Sequence, residues 1–172
     1  MSAPAARPRR SFTSSPAIRG LRWAGCLAVL VVAVAVAAVY PSLPAELPVH
    51  FDGSGPDTIG SDTSGVDTNS GPRSIIWVLL GVWLALQLLV AVLSTHPHRL
   101  NYPAPVTESN AQTLYRRGEE MAVWLGIAVA CAFLGLVLLV LGAAAAVPLL
   151  VVGIVSLFAV TIVGTVRLLN IS

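Results

Sequence analysis

The feature that most constrains this chain is an almost uninterrupted apolar stretch over residues 121–166. As one α-helix, these 46 residues would be about 69 Å long. The hydrocarbon core of a bilayer is only about 30 Å thick, and about 20 helical residues cross it. Gly142 and Pro148 interrupt the stretch, and proline fits the first turn of a new helix. The stretch therefore predicts two membrane-spanning helices joined by a tight hairpin, over residues 121–141 and 147–167.

The composition of the whole chain also indicates a membrane protein. Of its 172 residues, 56% are hydrophobic and 10% are charged, and the mean hydropathy is +0.82. Soluble domains carry about 25% charged residues, and a soluble chain of this length could not bury so much apolar surface in its own core. Two further apolar runs, residues 21–40 and 75–93, have the length of a membrane span. We therefore expect an all-α integral membrane protein with four transmembrane helices.

Arginines near the ends of the predicted spans indicate the orientation, because cytoplasmic segments are enriched in basic residues. Residues 1–20 and 94–120 carry most of the arginines, whereas the loop over residues 41–74 carries five acidic residues and one arginine. With four spans, all the arginine-rich segments fall on one side. Both termini are therefore predicted in the cytoplasm, with the protein in the plasma membrane and the 34-residue acidic loop outside.

The segments predicted on the cytoplasmic side differ in character. Residues 1–20 are rich in Pro, Ser, Ala and Arg, a composition that predicts a disordered tail. The first helix is expected to stay uncleaved, because its apolar run exceeds the core of about 7–15 residues of a signal peptide. Ser109 and Gln112 have the spacing of a capping box, and helical spacing of apolar residues begins at Ala111. The third span is thus predicted to start as a cytoplasmic helix.

The second half of the 41–74 loop repeats a five-residue pattern with Asp in second place. Evenly spaced carboxylates suggest calcium, which takes six to eight oxygen ligands. The spacing, however, matches neither the EF-hand loop nor the nonapeptide β-roll. A flexible, turn-rich acidic loop is the preferred interpretation, and neither a metal ion nor another cofactor is expected.

The first half of this loop combines prolines with apolar residues, and residues 49–51 alternate as a short strand does. Residues 43–51 read Leu-Pro-Ala-Glu-Leu-Pro-Val-His-Phe, and a Gly, an acidic turn and Gly-Ser follow. This run resembles the bacterial domain of unknown function 1648, which has a Leu-Pro-x-x-Ile-Pro-x-His-Phe signature. That domain is also found at the N-terminus of immunity proteins that protect cells from the sporulation-delaying toxin. The matching positions are Leu43, Pro44, Pro48, His50, Phe51, Gly55, Asp57 and Gly60.

The chain departs from the family pattern at Asp62, where the family commonly has Lys, and its third and fourth repeats look inserted. The longer immunity proteins also carry a further membrane domain, which a chain of 172 residues is not expected to contain in full. The resemblance implies the four-span topology and draws attention to His50. This histidine is a candidate recognition residue, external pH sensor or structural residue, and the structural role is preferred.

The predicted spans lack the residues on which most membrane chemistry depends. None contains histidine, which disfavours haem, and none has an acid or base in its interior, which disfavours proton relays. Polar residues within the spans are expected to form hydrogen bonds between helices, and small residues to permit close packing. The polar residues are Gln87, Ser156, Thr161 and Thr165, and the small residues are Gly126, Ala130, Gly135, Gly153 and Gly164. The chain is not expected to be an enzyme.

Three functions stay open. The first is a sensor or immunity-like protein whose external loop engages a peptide or protein partner. The second is an accessory subunit of a membrane transporter, and the third is a small channel or carrier, which the apolar spans disfavour. The expected partners are the lipid bilayer, a protein or peptide at the loop and further copies of the chain, whereas nucleic acid is not expected.

Overall fold

The computed structural model describes residues 7–48 and 70–171. In chain order the elements are α1 (Pro16–Val39), a 3₁₀ turn (Tyr40–Ser42), β1 (Glu46–Pro48), β2 (Ser70–Pro72), α2 (Ile75–Thr95), a second 3₁₀ turn (Pro97–Arg99), α3 (Ala111–Val140) and α4 (Ala146–Leu169). All four helices are long and apolar enough to cross a membrane. The prediction of an all-α protein with four transmembrane helices is therefore confirmed.

The third helix is the centre of the bundle. It packs against α1, α2 and α4, whereas α4 packs mainly against α3. Glycines bring these two helices together, because a Cβ on Gly153 would overlap the backbone of Ala132. A Cβ on Gly135 would likewise lie 2.6 Å from the Cα of Leu150. The expected close packing through small residues is thus confirmed within the chain for Gly135 and Gly153.

A tight hairpin joins α3 to α4, as the sequence predicts. Gly142 has a φ of +71°, a left-handed conformation that glycine adopts without strain. The N–H of Gly142 donates to the carbonyl of Leu139 at 3.0 Å, and that of Ala143 donates to Leu138 at 2.9 Å. This pair of bonds is a Schellman motif, which satisfies the last carbonyls of α3. Pro148 lies in the first turn of α4, where it removes no helical hydrogen bond.

The two ends of the bundle differ in charge. At one end, which we call the arginine end, α1 and α3 begin and α2 and α4 end. Every arginine except Arg73 belongs to segments at this end. At the opposite end, which we call the loop end, the β1–β2 hairpin lies beside the ends of α1 and α2. The four helices run through the bundle in alternating directions. The described N- and C-terminal residues therefore lie at the same end.

The N-terminal segment differs from the predicted disordered tail over residues 1–20. The first helix begins at Pro16, and the hydroxyl of Ser15 accepts a hydrogen bond from the N–H of Ile18 at 3.3 Å. Residues 7–15, which we call the N-terminal strap, lie against the loop between α2 and α3 and against the start of α3. The prediction is therefore corrected for residues 7–20. The composition argument fails because the strap bonds to distant parts of the chain and needs no core of its own.

The start of α3 confirms one prediction and corrects another. The helix begins at Ala111, so it does extend well before the apolar span. The capping box does not form: the N-cap is Asn110, and its Oδ1 accepts a hydrogen bond from the N–H of Thr107 at 2.8 Å. Ser109 bonds to the hydroxyl of Thr107 at 2.9 Å, and the amide of Gln112 binds the strap. Both side chains are thus engaged elsewhere.

Candidate functional site

The base of the 41–74 loop is a short antiparallel hairpin at the loop end. Glu46 pairs with Pro72, Leu47 with Gly71 and Pro48 with Ser70. The hydroxyl of Ser70 also donates to Oε2 of Glu46 at 2.6 Å. The two arms of the loop are therefore joined directly before residue 49 and directly after residue 69.

This hairpin is fastened to the helices by buried apolar contacts. Leu47 is only 3% exposed and belongs to the same core cluster as Val36 of α1 and Ile76 of α2, while Leu43 packs against that cluster. Alternation along the strand directs Leu47 inward and leaves Glu46 exposed. The hairpin therefore rests on the bundle as a fixed base.

Arg73 reinforces the base from the other arm. Its backbone N–H donates to the carbonyl of Ala45 at 2.9 Å, and its Nη1 donates to the carbonyl of Leu43 at 3.5 Å. Its guanidinium lies 4.9 Å from the ring centroid of Tyr40, and that ring is 5.5 Å from the ring of Trp77. The single arginine at this end thus links the end of α1 to the start of α2.

The structure describes three of the eight motif residues. Leu43, Pro44 and Pro48 lie in or beside the base; Leu43 and Pro48 are partly buried and Pro44 is exposed. The others, namely His50, Phe51, Gly55, Asp57 and Gly60, lie outside the described residues. The predicted strand over residues 49–51 and the aspartate repeat also lie outside them, so both stay predictions.

A second polar centre, which is not among the residues predicted from the sequence, lies at the arginine end. Glu119 of α3 is 2% exposed. Its Oε2 accepts a hydrogen bond from Nη2 of Arg10 at 3.1 Å. Its Oε1 accepts hydrogen bonds from Arg22 and from the hydroxyl of Ser14. A buried carboxylate is tolerated in an apolar bundle only when it is paired and hydrogen-bonded in this way.

Arg22 connects this carboxylate to the other helices. Its side chain is 7% exposed, and its Nε donates to Oγ of Ser94 at 2.8 Å. The hydroxyl of Ser94 in turn donates to the carbonyl of Ala91 at 2.7 Å. One chain of polar contacts therefore joins α1, α2 and α3, and it fixes their relative positions at the arginine end.

The same carboxylate holds the N-terminal strap. Arg10 bonds to Glu119 and also donates to Ser14 at 2.7 Å and to the carbonyl of Thr95 at 3.3 Å. Further along the strap, the hydroxyl of Tyr115 donates to the carbonyl of Pro8 at 2.9 Å. The strap is thus anchored to α3 and to the end of α2.

The loop between α2 and α3 is ordered by contacts with the strap and with α3. Arg7 donates to the carbonyls of His98 at 3.1 Å and Leu100 at 2.7 Å. Tyr102 donates to the carbonyl of Pro97 at 2.8 Å. Burial, and to a lesser extent Tyr115, raises the pKa of the Tyr102 phenol well above its ordinary value, while Arg7 opposes the shift. Tyr102 therefore remains a neutral hydrogen-bond donor.

One signal in the sequence could have identified Glu119. It lies four residues after Tyr115 and eight after Ala111, on the face of α3 that the apolar pattern directs inward. An acid on an apolar face requires a cationic partner, and arginines are abundant in the preceding segments. These arginines therefore supply partners for a buried acid in addition to indicating the orientation.

Polar groups within the spans behave partly as predicted. Gln87 is buried, and its Nε2 donates to the carbonyl of Gly126 at 2.8 Å, which confirms a hydrogen bond between α2 and α3. Thr161 instead donates to a carbonyl of its own helix at 2.7 Å. Within the part of the chain that the structure describes, Ser156 and Thr165 form no side-chain hydrogen bond. The interhelical prediction therefore holds for Gln87.

Among known protein families, a model described as a domain of unknown function, DUF1648, matches residues 27–66. No curated protein and no solved structure matches the chain. The matched segment runs from the middle of α1 through β1 into the loop, and it includes all the motif positions from Leu43 to Gly60. The resemblance seen in the sequence is confirmed for this segment. Residues 27–66 of the chain are therefore similar to the DUF1648 domain, a domain of unknown function.

Proposed function

We propose that this multi-pass membrane protein is a sensor or immunity-like protein that engages a peptide or protein partner through residues 49–69. The loop base supports this proposal more than any other observation. The paired arms hold the two ends of a 21-residue segment together and fasten both ends to the helix bundle. A binding segment on a rigid base loses less conformational entropy on association than a free tail does.

The base also connects the loop to the helices through packing contacts, so that a movement of the loop can be transmitted to them. Leu47 packs in the same cluster as residues of α1, α2 and α3. A partner that pulls or tilts the hairpin therefore alters the packing of the helix ends. A sensor requires such a link, whereas for a protective protein a tightly held binding loop is sufficient.

The charge distribution supports the proposed orientation in the plasma membrane. The arginine end carries all the arginines but one, and basic residues favour the cytoplasmic side. Both termini are then cytoplasmic, and the acidic loop faces the outside, where a secreted peptide or a neighbouring cell-surface protein is accessible. No catalytic role is proposed.

A loop replacement tests the proposal in cells. Residues 49–69 are replaced by a Gly/Ser linker of equal length, and the hairpin is kept. We expect the variant to reach the membrane in normal amounts, because the base and the helices keep their contacts. Protection of the cells from the sporulation-delaying toxin, or the response to that toxin, should be lost. Retained protection with the replaced loop would refute a role for this segment.

The transporter-subunit alternative predicts a different pattern. An accessory subunit binds its permease through membrane-exposed helix faces, so co-purification of a permease or ATPase should survive the loop replacement. A channel or carrier would conduct or transport as a pure oligomer in a bilayer. Leu47→Asp serves as the control for the base, since it places a charge in the core cluster without changing residues 49–69.

A further inference from the structure

A groove between α3 and α4 opens at the arginine end. It has a volume of about 250 Å³. Its walls are mainly apolar and include Met121, Trp124, Ala159 and Val163. Trp124 is 49% exposed, so the groove opens toward the membrane side of the bundle. Tryptophans with this exposure favour the region between the lipid headgroups and the hydrocarbon.

The rim of the groove is charged. Arg117 and Arg167 both line it, from the start of α3 and the end of α4. Arg117 pairs with Glu120 at 2.9 Å, and the side chains of both residues are partly exposed. Among the residues that the structure describes, Arg167 has no ionic partner. Two arginines against one carboxylate leave the rim with a net charge of +1.

The groove therefore has the polarity of an amphiphile. Arg167 lies eight residues beyond Ala159, which places the charged rim about 12 Å along the helix axis from the apolar floor. Gly164 allows the side chain of Met121 to lie close against α4 in the wall of the groove, because a Cβ there would lie 2.6 Å from the sulfur of Met121. The apolar floor therefore matches an acyl chain in polarity, and the cationic rim matches a phosphate in charge.

A second groove lies on the other side of α3 and is larger, at about 520 Å³. Its lining residues include Tyr102, Leu125 and Leu168, and none of them is charged. It provides no charged group that would distinguish an anionic headgroup from a zwitterionic one. The charged rim is therefore the feature that selects the occupant.

We propose that the groove between α3 and α4 binds one anionic phospholipid, with its phosphate between Arg117 and Arg167 and an acyl chain along Trp124 and Ala159. A headgroup of net charge −1, such as that of phosphatidylglycerol, neutralises the rim. A zwitterionic headgroup does not, because its ammonium cancels the charge of its own phosphate. In the proposed orientation, both arginines lie at the cytoplasmic leaflet, where acidic lipids attract basic side chains. This site is independent of the loop and of the function proposed for it.

Native mass spectrometry of the full chain tests the proposal. The protein is released from micelles that contain equal amounts of phosphatidylglycerol and phosphatidylcholine. The wild type should retain phosphatidylglycerol in preference to phosphatidylcholine. Arg167→Gln should lower that preference about fivefold, the effect of one arginine near a charged lipid surface. Arg167→Lys should retain most of it, because a lysine also binds a phosphate.

Arg99→Gln is the matched control, since Arg99 is an exposed arginine at the same end that does not line the groove. Its preference should equal that of the wild type. The proposal is overturned if Arg167→Gln keeps the wild-type preference, or if Arg99→Gln lowers it equally. Circular dichroism of each variant verifies that the helices are intact. A purely structural role of Arg167 at the end of α4 would not alter the choice of headgroup.

Discussion

Replacing Glu119 by Gln is expected to lower the free energy of unfolding by about 3 kcal/mol. Removal of one partner from a buried ion pair costs about 3–5 kcal/mol, because the other charge stays buried without compensation. The side chains of Glu119 and Arg22 are 3% and 7% exposed, so water cannot replace the lost carboxylate. Gln still accepts a hydrogen bond, which places the expected loss at the lower end of this range.

The assay is reversible unfolding in mixed micelles with increasing SDS, followed by circular dichroism. Glu120→Gln is the matched control. Glu120 is the next residue and pairs with Arg117 at 2.9 Å, but both side chains are partly exposed, at 31% and 48%. Exposed pairs contribute only about 0.2–1 kcal/mol. The reasoning is refuted if the two variants lose equal stability, because burial would then not determine the strength of the pair.

A double variant separates the cost of an unpaired charge from the value of the pair. Arg22→Met with Glu119→Leu removes both buried charges and leaves apolar side chains of similar volume. Such replacements are often neutral or even stabilising. We expect the double variant to be more stable than Glu119→Gln alone. Arg10, whose side chain is 20% exposed, can still reach water and its other partners.

Two further predictions concern helix packing and the loop base. Gly153→Ala should destabilise the protein by about 1–3 kcal/mol in the same SDS assay, because the new methyl overlaps the backbone of α3. Gly81→Ala meets no atom within 4 Å and should be neutral or slightly stabilising; equal losses would contradict the observed helix contact. Cysteines at the paired positions Glu46 and Pro72, in a background without native cysteines, should form a disulfide under mild oxidation. Their failure to do so, judged by gel mobility with and without reductant, would argue against the hairpin.

The four helices could be predicted because the constraint that sets them is local. Bilayer thickness fixes the length of an apolar span, and the break at Gly142 follows from its left-handed turn. Each predicted span overlaps an observed helix almost completely, but α1 and α3 begin earlier, at Pro16 and Ala111. Apolar content does not define these starts, because α1 begins at the cap formed by Ser15 and the polar start of α3 packs against the strap.

The buried carboxylate could not be found by the same reasoning, because its partners are distant in sequence. Arg10 and Glu119 are 109 positions apart. Hydropathy identifies which residues enter lipid, but it does not identify which charged side chains form ion pairs in the folded protein. The strand Ser70–Pro72 was also not predicted, since glycine and proline disfavour strands and only its pairing with β1 defines it. The motif prediction succeeded because its signature is contiguous.

The most direct test of the account is the location of residues 49–69 relative to the arginine end. Single cysteines at Ser64 and at the exposed Thr13 of the strap, in a cysteine-free background, are labelled in intact cells with a membrane-impermeant maleimide. The account predicts that Ser64→Cys is labelled at once and that Thr13→Cys is labelled only after the membrane is permeabilised. Labelling of Thr13→Cys in intact cells, with Ser64→Cys protected, would contradict it.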